Sequence, residues 1–173
     1  MIAAAPHPSE AGPDIRIAPA RTETDIAEVK SLFLDYARSL DFDLCFQGFD
    51  QEMATFPGNY SEPEGILLLA RVDDQAAGAV GLRLQGRDAD VGITCEMKRL
   101  YVRDDFRGLG LGRKLVEVLI DESRRIGYGA MRLDTIETMQ EAIALYRSLG
   151  FFRINRYYDS PIENTEYYQL NLS

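Results

Sequence analysis

Between Arg107 and Arg113 the chain reads Arg-Gly-Leu-Gly-Leu-Gly-Arg, with glycines at 108, 110 and 112. Glycine has no Cβ, so a ligand can come directly against the main chain. From Gly110 the sequence becomes apolar-periodic, with Leu111, Leu115, Val118 and Leu119 on one helical face. A glycine-rich loop at a helix N-terminus offers backbone N–H donors and the positive end of the helix dipole, so phosphate is its natural guest. Lys98, Arg99, Arg103, Arg107, Arg113 and Lys114 crowd the same stretch and would supply positive potential for a polyphosphate. Spacing excludes two phosphate-binding loops. A P-loop needs Ser or Thr after its lysine, whereas Lys114 precedes Leu115. A dinucleotide fingerprint needs Gly-x-Gly-x-x-Gly, whereas these glycines fall at every second position. The competing reading is a plain strand-to-helix turn, which needs only one glycine or two.

The pattern Arg/Gln-x-x-Gly-x-Gly/Ala, here Arg107, Gly110 and Gly112, resembles the pyrophosphate loop of the GNAT N-acetyltransferase superfamily. The strand Glu96-Met-Lys-Arg-Leu-Tyr-Val102 looks like the family's fourth strand. Ala142-Ile-Ala-Leu-Tyr-Arg-Ser-Leu-Gly-Phe151 looks like its second cofactor motif. The resemblance implies an α/β (α+β) GNAT fold: a central mixed, mostly antiparallel twisted sheet of six to seven strands with helices on both faces. It implies acetyl-CoA as acetyl donor, no metal, and a primary amine of a small molecule or peptide as acceptor, attacked directly in a ternary complex. The main chain of Arg107, Gly108, Leu109, Gly110, Leu111, Gly112 and Arg113 would hold the pyrophosphate. The segment Leu100-Tyr101-Val102 would carry the pantetheine arm, Leu100 and Val102 pairing with it like an added strand.

Acetyl transfer from a thioester to an amine needs a neutral amine, a stabilised oxyanion and a protonated leaving thiolate. By the same resemblance Glu96 is the expected general base. A glutamate is a poor base at neutral pH unless burial raises its pKa. The competing reading of Glu96 is a structural ion pair with Lys98 or an arginine; Asp134 and Glu137 are alternative bases. A backbone N–H near Leu100 would stabilise the oxyanion. Tyr146 would be the general acid, against the plainer reading of an aromatic core residue beside Ala142, Leu145 and Leu149. One departure stands out. Many family members have an asparagine seven residues before this tyrosine, and here the position is Met139.

The elements that must position these residues follow from pattern. Asp14–Ala18 reads as a strand, then a helix capped by Thr22 or Thr24 with Ile26, Val29, Leu32, Phe33, Tyr36, Ala37 and Leu40 inward. A short helix spans Asp50–Thr55. Gly65–Val72, Ala76–Leu84 and Cys95–Val102 form a three-strand meander with turns at Asp73–Gln75 and Gly86–Asp90. The helix from Gly110 ends at Gly127, Ala130–Thr135 is a strand, and Thr138 with Glu141 forms a capping box for the helix ending at Gly150. Phe151–Ile154 and Tyr167–Leu172 complete the sheet. Asp41, Asp43, Glu52, Phe42 and Phe46 belong to a region that forms one acceptor-site wall in the family. Of Tyr157, Tyr158, Tyr167 and Tyr168, strand alternation lets about half reach a pocket.

With 173 residues the chain suffices for one domain: a flexible tail over 1–13 and a single acetyltransferase domain over 14–173. The net charge of −9 argues against a nucleic-acid partner and suits a cationic substrate. No apolar run nears the roughly 18 residues that span a membrane, and the N-terminus lacks a signal peptide's basic flank. A cytoplasmic protein is expected, and family members are often dimers, so a homodimer is one expectation. Cys45 and Cys95 make no disulfide framework, and His7 alone excludes a histidine triad or metal cluster. Two other readings stand beside the enzyme: a non-catalytic acyl-CoA-binding regulatory module, and an acyltransferase with a different acyl donor.

Overall fold

The computed structural model describes residues 11–173; residues 1–10 of the expected tail, His7 among them, lie outside the described residues. The chain runs β1 (Ile15–Pro19), α1 (Glu23–Ser39), α2 (Phe49–Ala54), β2 (Ile66–Val72), β3 (Gln75–Asp88) and β4 (Gly92–Val102). Then follow α3 (Leu111–Ile126), β5 (Ala130–Ile136), α4 (Gln140–Ser148), β6 (Phe152–Ile154) and β7 (Thr165–Asn171). The seven strands form one sheet in the order β1-β2-β3-β4-β5-β7-β6. Every neighbouring pair is antiparallel except β4 and β5. This is the mixed, helix-flanked sheet that the sequence leads one to expect.

Apolar side chains cover both faces of the sheet's centre. Leu68, Ala70, Val80, Leu82, Cys95, Met97, Met131 and Leu133 pack with α3 and α4. Leu67, Leu69 and Ala79 pack on the other face with Val29, Leu32 and Phe33 of α1 and Phe49 and Met53 of α2. Strand alternation sorts consecutive leucines of β2 to opposite faces. Helix α1 starts on a capping box between Thr22 and Asp25, one of the two expected caps.

Two local expectations fail. No capping box forms at Thr138, because α4 begins only at Gln140 with Met139 in the cap position and no side-chain cap bond. The stretch from Gly86 is not yet a turn: Gly86, Arg87 and Asp88 still pair with Thr94, Ile93 and Gly92. A register shift at Leu84/Gly86 lets the hairpin continue past its glycine.

The feature that makes a site is where β4 and β5 part. Their ladder joins only Thr94, Cys95 and Glu96 to Ala130, Met131 and Arg132. Beyond Glu96, β4 continues to Val102 beside β3 alone, while β5 continues beside β7. A bulge sharpens the divergence: Arg99 and Leu100 lie opposite the single residue Val80, and Arg99 adopts φ 60°. A left-handed non-glycine residue costs about 1–2 kcal/mol. The Arg99 guanidinium is tied down in return, to Glu52 Oε2 at 2.9 Å and Gln47 Oε1 at 2.6 Å.

Candidate active site

The glycine loop closes β4 against α3. Gly108 and Gly110 have φ of 82° and 74°, and a Cβ on either would meet nothing within 4 Å. The ground in front of the loop is therefore open. Gly110 caps α3 with no side-chain cap bond, and the first intrahelical bond is Lys114 N–H to Gly110 O at 3.1 Å. Among the described residues, the backbone N–H groups of 108 to 113 find no acceptor in the protein. Unpaired donors at a helix N-terminus, with open space before them, fit a pyrophosphate.

The cations sort differently from their order in the sequence. Arg107 sits beside the loop, paired with Asp104 at 3.0 Å, and Arg113 with Glu117 at 3.4 Å. Lys98 and Arg99 instead turn to the α1–α2 face, and Arg103 reaches Ala76 O and Asp35. The expectation that all six surround the loop fails, because alternation along β4 sends Lys98 to the opposite side of the cleft.

The free edge of β4 leads from that loop. Arg103 N–H bonds Ala77 O on β3 at 2.9 Å. Successive N–H groups alternate sides along a strand, so those of Val102 and Leu100 face away from β3, into the cleft. Tyr101 differs: its carbonyl lies 2.8 Å from where a Gly78 Cβ would be, so its main chain serves β3. Its ring packs edge-on against Tyr36.

A cavity of about 110 Å³ opens in the cleft, lined by Leu100 and Met97 of β4, Leu133 and Asp134 of β5, and Met139 and Tyr146 at α4. Met139, where many family members have asparagine, thus faces the cavity and offers a thioether in place of an amide. Tyr146 is 7% exposed and packs against Phe151. Its hydroxyl makes no hydrogen bond among the described residues, and burial pushes its pKa well above the ordinary phenol range. It is therefore a protonated, unengaged donor.

A second cavity, of about 320 Å³, lies on the α1–α2 side; Gln47 and Lys98 line both. Glu96 lines this second cavity, not the one holding Tyr146. It is 4% exposed. Arg83 donates to its Oε1 at 2.8 and 3.2 Å, and Tyr157 donates to its Oε2 at 2.8 Å. Lys98 Nζ lies 3.6 Å from Glu96 and 3.1 Å from Asp134. Asp134 also accepts from Tyr158 at 2.8 Å and Gln47 at 3.3 Å. Burial alone would raise the Asp134 carboxyl, but Lys98 and Tyr158 outweigh it and hold the pKa below the ordinary value. Burial, reinforced by Glu96, keeps the Tyr157 phenol well above its usual pKa and so protonated. Glu137 is exposed and lines neither cavity.

Sequence reasoning named Glu96 and Tyr146 but missed Arg83 and Gln47, and assigned Lys98 to the wrong wall. A signal was present: Thr94, Glu96 and Lys98, and again Arg132 and Asp134, alternate with apolar residues in strands otherwise buried on both faces. Polar residues at period two in such strands mark the place where one face turns from core to site. Tyr157 and Tyr158 both reach the second cavity because they lie in the β6–β7 loop, where alternation does not apply. Tyr167 packs behind them, and Tyr168 belongs to the α3–α4 core.

Residues 27–151 match the family model described as Acetyltransferase (GNAT) family. An uncharacterized N-acetyltransferase of Schizosaccharomyces pombe is 39% identical over 161 residues, covering 92% of this chain and 96% of that protein. An acetyltransferase of GNAT family from Staphylococcus aureus superposes with TM-score 0.71 at 22% identity, covering 92% of this chain and all of that one. The Salmonella typhimurium protein yncA, with its cofactor acetyl-CoA, superposes with TM-score 0.65 at 22% identity, over 92% and 94% of the two chains. The chain belongs to the acetyltransferase (GNAT) family and is an acyltransferase.

Proposed function

We propose that residues 14–173 form a single domain that transfers the acetyl group of acetyl-CoA to a primary amine by direct attack in a ternary complex. The observation that carries the reading is a run of unpaired backbone donors leading to a cavity with a buried phenol. The free β4 edge at Leu100 and Val102 runs along the chain into the unpaired N–H groups of residues 108–113, and Leu100 and Tyr146 line one cavity.

Acetyl-CoA supplies an acetyl thioester, an acyl group with a good leaving thiolate. The loop's N–H donors hold the pyrophosphate, and Leu100 and Val102 fix the arm by strand-like pairing. The amine nitrogen attacks the thioester carbonyl carbon, the C–S bond breaks, and the thiolate ends with a proton. The N–H of Leu100 is a fixed donor for the carbonyl oxygen as charge develops. Tyr146 donates to the departing sulfur. Its raised pKa keeps the phenol protonated at neutral pH, so that the proton is there to pass to the thiolate as the C–S bond breaks.

The amine must lose a proton. Glu96 takes it, reached through the Tyr157 hydroxyl that it holds at 2.8 Å. Lys98, between Glu96 and Asp134, fixes both carboxylates relative to the cleft. A non-catalytic binding module would retain the loop but has no use for an unengaged Tyr146. The test is the Tyr146→Phe variant: turnover falls by one to two orders of magnitude while acetyl-CoA affinity stays within about twofold. Unchanged turnover removes Tyr146 from the mechanism.

A further inference from the structure

The cavity beside Glu96 carries a charge pattern opposite to that of the whole chain. The chain's net charge is −9, yet the ionised side chains lining this cavity are two cations, Arg83 and Lys98, and one carboxylate, Glu96. Arg83 spends Nε and Nη2 on the same oxygen of Glu96. Its Nη1 edge has no acceptor among the described residues. Gln85 Oε1 accepts from Thr94 at 2.6 Å and from Arg132 at 3.3 Å, so its NH2 is the end left free. The Asn59 side-chain amide also has no partner among the described residues. The cavity therefore presents donors in excess of acceptors, and a ligand that satisfies it must bring acceptor oxygens.

We propose that this cavity is the acceptor subsite, and that it takes a primary amine that also bears a carboxylate, such as an amino acid. The carboxylate lies against the free Nη1 edge of Arg83, within reach of Gln85 and Asn59. The amine points past Lys98 and Gln47, the two residues common to both cavities, toward Tyr146. Guanidinium is the side chain best matched to a carboxylate, offering planar paired donors. A polycationic amine would face Arg83 and Lys98 with like charge. The inference rests on the acetyl-transfer reading above and narrows it; the product would be an N-acetylated amino acid.

The experiment is a matched-substrate comparison with wild-type protein and acetyl-CoA. Each amino acid of a panel is assayed beside its primary amide and its decarboxylated amine. The acid is expected to show kcat/KM at least tenfold above both analogues. Equal or faster turnover of the analogues overturns the carboxylate while leaving acetyl transfer standing. Turnover of no acid, with acetyl-CoA still bound, overturns it too. Failure of acetyl-CoA to bind brings down the acetyl-transfer reading along with it. Arg83→Lys keeps a cation beside Glu96 but loses the fork. It is expected to raise KM about tenfold more for the acid than for the amide. An equal change in both would mean a merely structural Arg83.

Discussion

Lys98 Nζ lies 3.1 Å from Asp134 Oδ1, and this ion pair bridges β4 and β5 just beyond the last rung of their ladder. Both side chains are nearly enclosed, at 5% and 13% exposure. The pair closes electrostatically what the backbone leaves open, and its lysine lines both cavities.

Removing the acid should therefore matter for stability. Asp134→Asn leaves Lys98 with Glu96 at 3.6 Å as its remaining carboxylate. Breaking a buried pair costs about 3–5 kcal/mol, and a urea titration at neutral pH should show a loss approaching that range. The pH dependence follows from the sign. The Asp134 pKa is depressed in the folded state, so the unfolded chain binds more protons as pH falls through the carboxylate range. Its contribution is present above about pH 4 and is lost as pH drops further. Asp25, bonded by Arg71, and Asp88, bonded by backbone N–H groups and Arg132, are shifted the same way. Wild-type Tm should fall steeply below about pH 4, and the Asn variant should show a shallower acid limb. An identical limb in both would remove Asp134 from the acid response.

The cradle makes a separable prediction. Gly110 has φ 74° with open space in front of it. Gly110→Ala forces a Cβ into a left-handed conformation, costing about 1 kcal/mol of stability. It also places a methyl group where the pyrophosphate would lie. Acetyl-CoA affinity should fall about tenfold, equivalent to about 1.4 kcal/mol, as read by calorimetric titration. Unaltered affinity would place the pyrophosphate elsewhere.

Glu96→Gln tests the base. Glutamine can still accept from Arg83 through its one oxygen while its NH2 donates to the Tyr157 hydroxyl, so the fold should survive, but it cannot take a proton. The kcat/KM–pH profile should change shape and the rate should drop by about two orders of magnitude. A profile of unchanged shape would reassign the base, with Asp134 next in line by position.

How much of this was legible in the sequence depended on sequence separation. The glycine loop, the α3 boundaries and the Tyr146 motif are local, and each was found within a residue or two. The Arg83–Glu96–Lys98–Asp134–Tyr157 network is not local. It arises because the β3–β4 register sets Arg83 opposite Glu96, the short β4–β5 ladder brings Asp134 alongside, and the β6–β7 loop folds Tyr157 over them. None of those registers can be read from one strand alone. The Thr138 cap failed for a smaller reason of the same kind: a single-residue shift in where α4 begins.

The most direct test is amine-dependent release of CoA thiol from acetyl-CoA, followed continuously with purified protein over a panel of primary amines that includes amino acids. Thiol should appear only when both acetyl-CoA and a suitable amine are present, at a rate that saturates with each. Bound acetyl-CoA with no amine in the panel raising thiol release above the protein-free rate would contradict the account.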